Sequence, residues 1–587
     1  PNEFNHLLFT FTIFLVTKLK NDEVASFVHI QGLFVAIAQY LNIRIILGNI
    51  SEELNNNITN INERFDQVYE EIGKTNNSVF PLVNQLNNNT ITGENAFATG
   101  TGNTASGSNS HAEGVSTVAS GTESHAEGDQ CQALGNSSHA EGDETIASGK
   151  QAHAEGHLTQ ALGSSSHAEG KNTQAIGYHS HAEGELSMAT GNNSHAEGQN
   201  TKALGFGTHT EGQNTEALGM FSHAEGDGST AGDSEDDFAG YASHAEGKET
   251  EASGHNSHAS GCNTIASGNN SHAEGHNTYA IGRSSHAEGI YAYAEETASH
   301  AEGYYTSANG NYSHAEGSHT YANSESSHAE GLYTKADGQA SHTEGHYTHT
   351  SSNYSHAEGS HTYTSGQSSH AEGIYTETYG DGSHAEGSGS VANGYYSHAE
   401  GDHTYANGDH SHAEGHRTIS YGSHSHAEGS YTESSGMYSH AEGYETKATG
   451  DKSHSEGANT TATGNKSHSE GYYTNSIGKE SHAEGGYTQA IGNHSHAEGW
   501  NTIARDSQSH AEGYFSETGA ESNASHAEGA YTQALGHNSH TEGWHTTTGE
   551  FAANAHAEGG YTQATGARSH AEGSDTQAIG NHSHAEG

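Results

Sequence analysis

Every fourteen residues an imidazole and a carboxylate recur two positions apart, as His195 and Glu197 do in GNNSHAEGQNTKALG (191–205). Such a pair has three uses. It can shuttle a proton as a general acid–base dyad, offer N and O ligands to Zn²⁺ or Ni²⁺, or form charge-assisted hydrogen bonds. The in-phase His stand at 111, 125, 139 and on to 584, 34 of the chain's 52, and Glu follows in every unit but one, where Ser260 follows His258. A catalyst needs one site in a cleft, and a metal centre needs a distinct ligand cluster held by its own hydrogen-bonding partners. Many equal copies fit a repeated interface better than either. The sequence predicts no enzyme and no cofactor, leaving open incidental divalent-metal binding at the His/Glu ladders.

The unit that places these residues reads S-H-A-E-G, two turn residues, T-x-A-x-G, two turn residues, from about Asn95 to Gly587. The step is fourteen except for seven extra residues before His244 and two before His526 and His556. Side chains alternate along a strand, so Ser110, Ala112 and Gly114 share one face and His111 and Glu113 the other. A turn at Val115–Ser116 then leads to a second strand with Thr117, Ala119 and Gly121 on one face. Those positions hold only small residues in the units compared, Cys131, Ser187 and Ala292 among them, so two strands pack closely in a thin β-solenoid. The outward residues of the second strand vary, whereas His and Glu on the first are nearly invariant. Thr points inward, which removes the Thr array an ice binder would need.

Composition agrees with a solenoid rather than a globule. Only 30% of residues are hydrophobic, Gly numbers 77, and 18 basic against 73 acidic residues give −55. Without the repeat this would place the chain in the disordered class. The charge excludes nucleic acid as a partner, since phosphate binding needs Lys and Arg. Two Cys, 131 residues apart, make neither a disulfide framework nor a metal cluster. There is no nucleotide loop, nucleophile elbow or CxxC.

Residues 1–46 are apolar, and Val24–Ile43 is nearly long enough to cross a bilayer. His29, Gln31 and Gln39 within it favour a buried docking or assembly segment. Leu47, Ile50, Leu54, Ile58, Ile61, Phe65, Val68 and Ile72 follow at spacings of three and four, a coiled-coil seam whose Ile content favours more than two strands. Residues 73–94 read as an Asn-rich linker, and 95–587 as the repeat array. The chain starts at Pro1 and stops in mid-repeat, as a fragment would.

The array resembles the head repeats of trimeric autotransporter adhesins, the YadA-like head, whose units read S-V-A-I-G then x-x-[ST]-x-A-x-G. The resemblance covers 95–587 and implies a left-handed parallel β-roll, three of which pack about a threefold axis. It places His111, Glu113, His125, Glu127, His195, Glu197, His314, Glu316, His412, Glu414, His496, Glu498, His584 and Glu586 where the family carries its aliphatic trimer interface. Phe97 and Thr99 in the first unit sit nearer the family pattern. Similar S-H-A-E-G arrays occur in phage tail fibres and in surface proteins of Gram-positive bacteria. The coiled coil before the roll departs from the adhesin order and favours an N-terminally anchored fibre.

The expectation is an all-β homotrimeric fibre shaft, extracellular, on a cell, spore or virion surface. Its partners would be itself, an N-terminal anchor and an unknown receptor. A phage receptor-binding fibre and an ion-binding single-chain solenoid are the alternatives. Each Glu is expected to accept from a His of a neighbouring coil or chain, raising the His pKa and lowering that of Glu, so that stability peaks from mildly acidic to neutral pH. Dense Tyr between about 290 and 475 reads as β-surface or as a sugar- or protein-binding stripe. The insertion GDSEDDFAG (232–240) reads as a solvated loop, with Asp233, Asp236 and Asp237 as the alternative Ca²⁺ ligands.

Overall fold

The computed structural model describes residues 63–64, 88–233 and 240–587. The chain forms two units, Pro1–Asn89 and Thr90–Gly587. In the first, Glu63 and Arg64 are helical. The apolar segment 1–46 and the seam residues from Leu47 to Ile72 lie outside the described residues.

The second unit is a parallel β-roll of 35 coils, each built from a short and a long strand. The coil at His195 is representative: a five-residue long strand, His195–Gln199, then a two-residue short strand, Lys202–Ala203. Each strand pairs in parallel with its equivalents one coil before and after, His181 on His195 and Glu183 on Glu197. The sheets are open stacks. Phe97–Thr101 pairs only forward and His584–Glu586 only backward. At about 4.8 Å per strand, 35 coils make a rod on the order of 170 Å long.

The register survives the insertions: His223 pairs with His244, His510 with His526 and His540 with His556. Asp236 and Asp237 of the acidic insertion lie outside the described residues.

The interior is as small as the repeat requires. Ser194, Ala196, Thr201 and Ala203 are all buried, and apart from Asn103 no fully buried side chain among the described residues is larger than threonine. A buried methyl-sized group is worth only about 0.8 kcal/mol, so apolar burial per coil is modest. Backbone hydrogen bonding supplies the rest, and it continues through the turns. Asn193 N donates to Tyr178 O at 2.8 Å, and Asn200 N to Glu185 O at 2.7 Å.

The motif letters now have structural reasons. The Gly of S-H-A-E-G sits at φ near +116°, as at Gly198, where a Cβ would lie 2.1 Å from the next coil's carbonyl oxygen, Gly212 O. Only glycine fits there. The Ser closes the turn before the long strand, with Ser194 Oγ donating to Gly191 O at 2.6 Å. The bend after the long strand comes one residue later than alternation predicts. The strand runs His111–Val115, and the left-handed residue is Ser116, φ +54°. The reason is that Gly114 can hold its own positive φ, +111°, without leaving the ladder.

Candidate functional site: the histidine–glutamate face

All fourteen His and Glu residues singled out above lie on the outward face of the long strands, stacked coil upon coil in two columns. His111 lies over His125 and Glu113 over Glu127, and the same register holds through His570 over His584 and Glu572 over Glu586. His314 and Glu316, His412 and Glu414, and His496 and Glu498 occupy the same columns.

Imidazole stacks on imidazole. His181 and His195 have ring centroids 4.7 Å apart and planes within 2°, which is the strand spacing itself. Phe97 opens the column, 5.1 Å from the His111 ring. The exception to parallel stacking inside the column lies at His272, tilted 34° to His258 and 33° to His286. This is where Ser260 replaces Glu. The side chains of His195 and Glu197 keep 35% and 47% exposure in the single chain, so the face is half open.

The expected hydrogen bonds between His and Glu are not formed along the chain. Nε2 to Oε2 distances run from 3.6 Å at His111–Glu113 to 4.0 Å at His195–Glu197, beyond hydrogen-bond reach. Nε2 is nevertheless covered in 33 of the 34 ladder His, all but the terminal His584, and in those 33 it has no hydrogen-bond partner.

The electrostatics correct the expectation of raised His pKa values. Burial and then the neighbouring imidazoles push His125 and His195 down. His223, His356, His412, His482 and His510 are held at about 4 by the same two causes. Identical rings one strand apart cannot all be charged, because each cation disfavours the next. The Glu225 carboxyl is raised, by burial and then by Glu246 and Glu211, rather than lowered. His125, His195, His223, His356, His412, His482 and His510 are neutral imidazoles at pH 7.

A family model described as YadA head domain repeat (2 copies) matches residues 112–130, 133–152, 154–180, 182–208, 245–271 and 273–292. Over these residues the roll is similar to the YadA head repeat. The same coil frame continues through residues 293–587, with parallel in-register pairing. No curated protein matches the chain. The YadA head repeat and the β-solenoid are structural rather than enzymatic families.

A second set of ladders, which the sequence analysis does not separate from ordinary surface Tyr, runs along one turn. Tyr291, Tyr305, His319, Tyr333, Tyr347, His361 and Tyr375 occupy the same turn position, all at φ between +54° and +57°. Their rings stack continuously, with centroids 4.5 Å apart at Tyr291–Tyr305 and 4.6 Å at His319–Tyr333. Bulky residues are rare in this conformation, at a cost of about 1–2 kcal/mol each, which ring pairing worth about 0.5–1.5 kcal/mol offsets. The rings spend their faces on each other and turn edges and hydroxyls outward. That removes face-on sugar stacking here. The signal in the sequence is a fourteen-residue spacing shared with the His.

Proposed function

We propose that the roll is the shaft of a homotrimeric extracellular fibre, with the His/Glu face at the threefold interface. The observation that carries this reading is the contrast between positions: His is held over 34 coils and Glu over all of them but the one with Ser260, while the last residue of the long strand, the short strand and the turns vary. A half-exposed face has no reason in a lone chain to keep His and Glu throughout. YadA-like proteins are homotrimeric, and their aliphatic interface occupies the same two positions.

The mechanism is mechanical. Coil-to-coil hydrogen bonding makes a stiff rod, and three rods sharing a buried face resist unfolding and proteolysis. Neutral imidazoles are cheaper to bury than charged ones, and each ring nitrogen that carries hydrogen is a donor for a partner's Glu, without which buried carboxylates would be costly. Adhesion or receptor binding, on a bacterial surface or a phage fibre, would use the variable columns. The N-terminal segment would anchor the fibre.

The deciding experiment is the solution mass of residues 90–587 by light scattering. Three times the chain mass supports the fibre. A monomer removes the interface and leaves the single-chain solenoid.

A further inference from the structure

We propose that the ladder binds divalent transition-metal ions of the Zn²⁺ class, one for every two coils, each held by two successive His and the Glu between them. The donor sets are built by one chain and do not depend on trimer formation. In His111, Glu113 and His125, one ligand atom from each residue lies within 4.8 Å of the other two, and the same holds for His125, Glu127 and His139 and onward along the roll.

Two observations favour an ion over the alternatives. First, Nε2 is covered by its own chain and lacks a partner in 33 coils. Leaving a buried polar atom unsatisfied costs about 1–3 kcal/mol, and a second copy of the chain cannot reach an atom already covered. An ion drawn between Nε2 and the Glu carboxylate can. Second, the Nε2–Oε2 gap, 3.6 Å at His181–Glu183 and 3.8 Å at His139–Glu141, is too long for a hydrogen bond. It approaches the roughly 3.3 Å between two ligands that each stand about 2.0–2.1 Å from a tetrahedral Zn²⁺.

The geometry also fixes the stoichiometry. Parallel rings 4.7 Å apart aim their Nε2 atoms in parallel, so two rings must tilt toward each other to share an ion. His272, tilted 34° and 33° to its neighbours, demonstrates that the column has room for this. Each Nε2 has one lone pair, and a ring committed to one neighbour is lost to the other. Thirty-four His taken in successive pairs, with the pair His258–His272 lacking its Glu at Ser260, allow at most 16 ions per chain. Two nitrogens, one carboxylate oxygen and a water complete four-coordination.

The test is calorimetric titration of the metal-stripped full chain with Zn²⁺ at pH 7.5, with Co²⁺ absorption as the readout of coordination. Expected are saturation near 16 ions per chain and tetrahedral-intensity Co²⁺ bands. In a block variant, His412, His426, His440, His454, His468 and His482 are each changed to Phe, the residue that Phe97 places in the same column. Uptake should fall by about three ions, with circular dichroism and mass unchanged. If that block fails to fold, the matching Glu→Ser block, using the residue that Ser260 places in the Glu column, should lower uptake likewise. Saturation at one or two ions, or uptake indifferent to the folded block variant, overturns the proposal. The trimer stands or falls on mass alone and ion binding on the count per chain, so the two failures are separable.

Discussion

At the residue scale, the motif letters divide by what they must do. The Gly at 114, 128 and each later coil is constant because it holds a positive φ, +111° at Gly114 and +119° at Gly128, that side chains rarely adopt. The glycine of the other turn gives way to Glu296, Ser324, Ser352 and Asp506. Gly198→Ala is therefore expected to cost about 3 kcal/mol, from strain plus overlap, and to open a protease-sensitive point mid-shaft, read by limited proteolysis. Ser194→Ala removes only the bond to Gly191 O and should cost about 1 kcal/mol. Ala152 already occupies that position, buried. The ladder His set the pH response. At His125, His195 and His223, among others, the folded pKa lies below the ordinary 6.5, and it is about 4 at His412, so between those values the unfolded chain binds more protons. Stability is then full above about pH 7 and is lost as pH falls from 6.5 toward 4. Melting temperature against pH should show that one-sided decline, and a decline on the alkaline side of neutrality would contradict it.

At the element scale, the coil is held by stacking as much as by its strands. The seven-ring run from Tyr291 to Tyr375 lets bulky residues keep a left-handed turn. Tyr333 lies 4.6 Å from His319 and 4.8 Å from Tyr347. Tyr333→Ala loses both pairings and keeps the backbone strain, at an expected cost of about 1–2 kcal/mol. Tyr333→Asn should cost less, because Asn suits the conformation and fills it at Asn200 and Asn214. Hydrogen exchange of the turn amides around residue 333 would rank the two. Asn103 plays a different part at the first coil. Fully buried, it donates to Thr99 O and Gly114 O and accepts from Thr117 N, tying the opening coils together.

At the scale of the whole roll, each coil meets only its neighbours, so stability is close to a sum of coils and interfaces. Deleting one complete fourteen-residue unit, such as 195–208, should shorten the rod by about 4.8 Å in small-angle scattering and leave its melt almost unchanged. Deleting seven residues should be far more damaging, because it would set a long strand against a short one and turn the His column out of line. The insertions before His244, His526 and His556 point the same way, since none shifts the register of the long strands.

The sequence by itself determined the parallel solenoid, the coil boundaries, the inward Ser, Ala and Thr and the outward His and Glu. A period of fourteen with small residues at fixed phases leaves one way to stack, and alternation along a strand assigns the faces. It did not determine what the His do. Pairing His195 with Glu197 follows from their opposite charges in sequence. Only the stacked structure places His195 closer in kind to His181 and His209 than to its own Glu, with rings 4.7 and 4.9 Å apart. That proximity between residues fourteen apart is what lowers the pKa, and a charge rule read along the chain has no access to it. The same holds for the Tyr ladder, whose members look like scattered surface residues until the coils are laid one upon another.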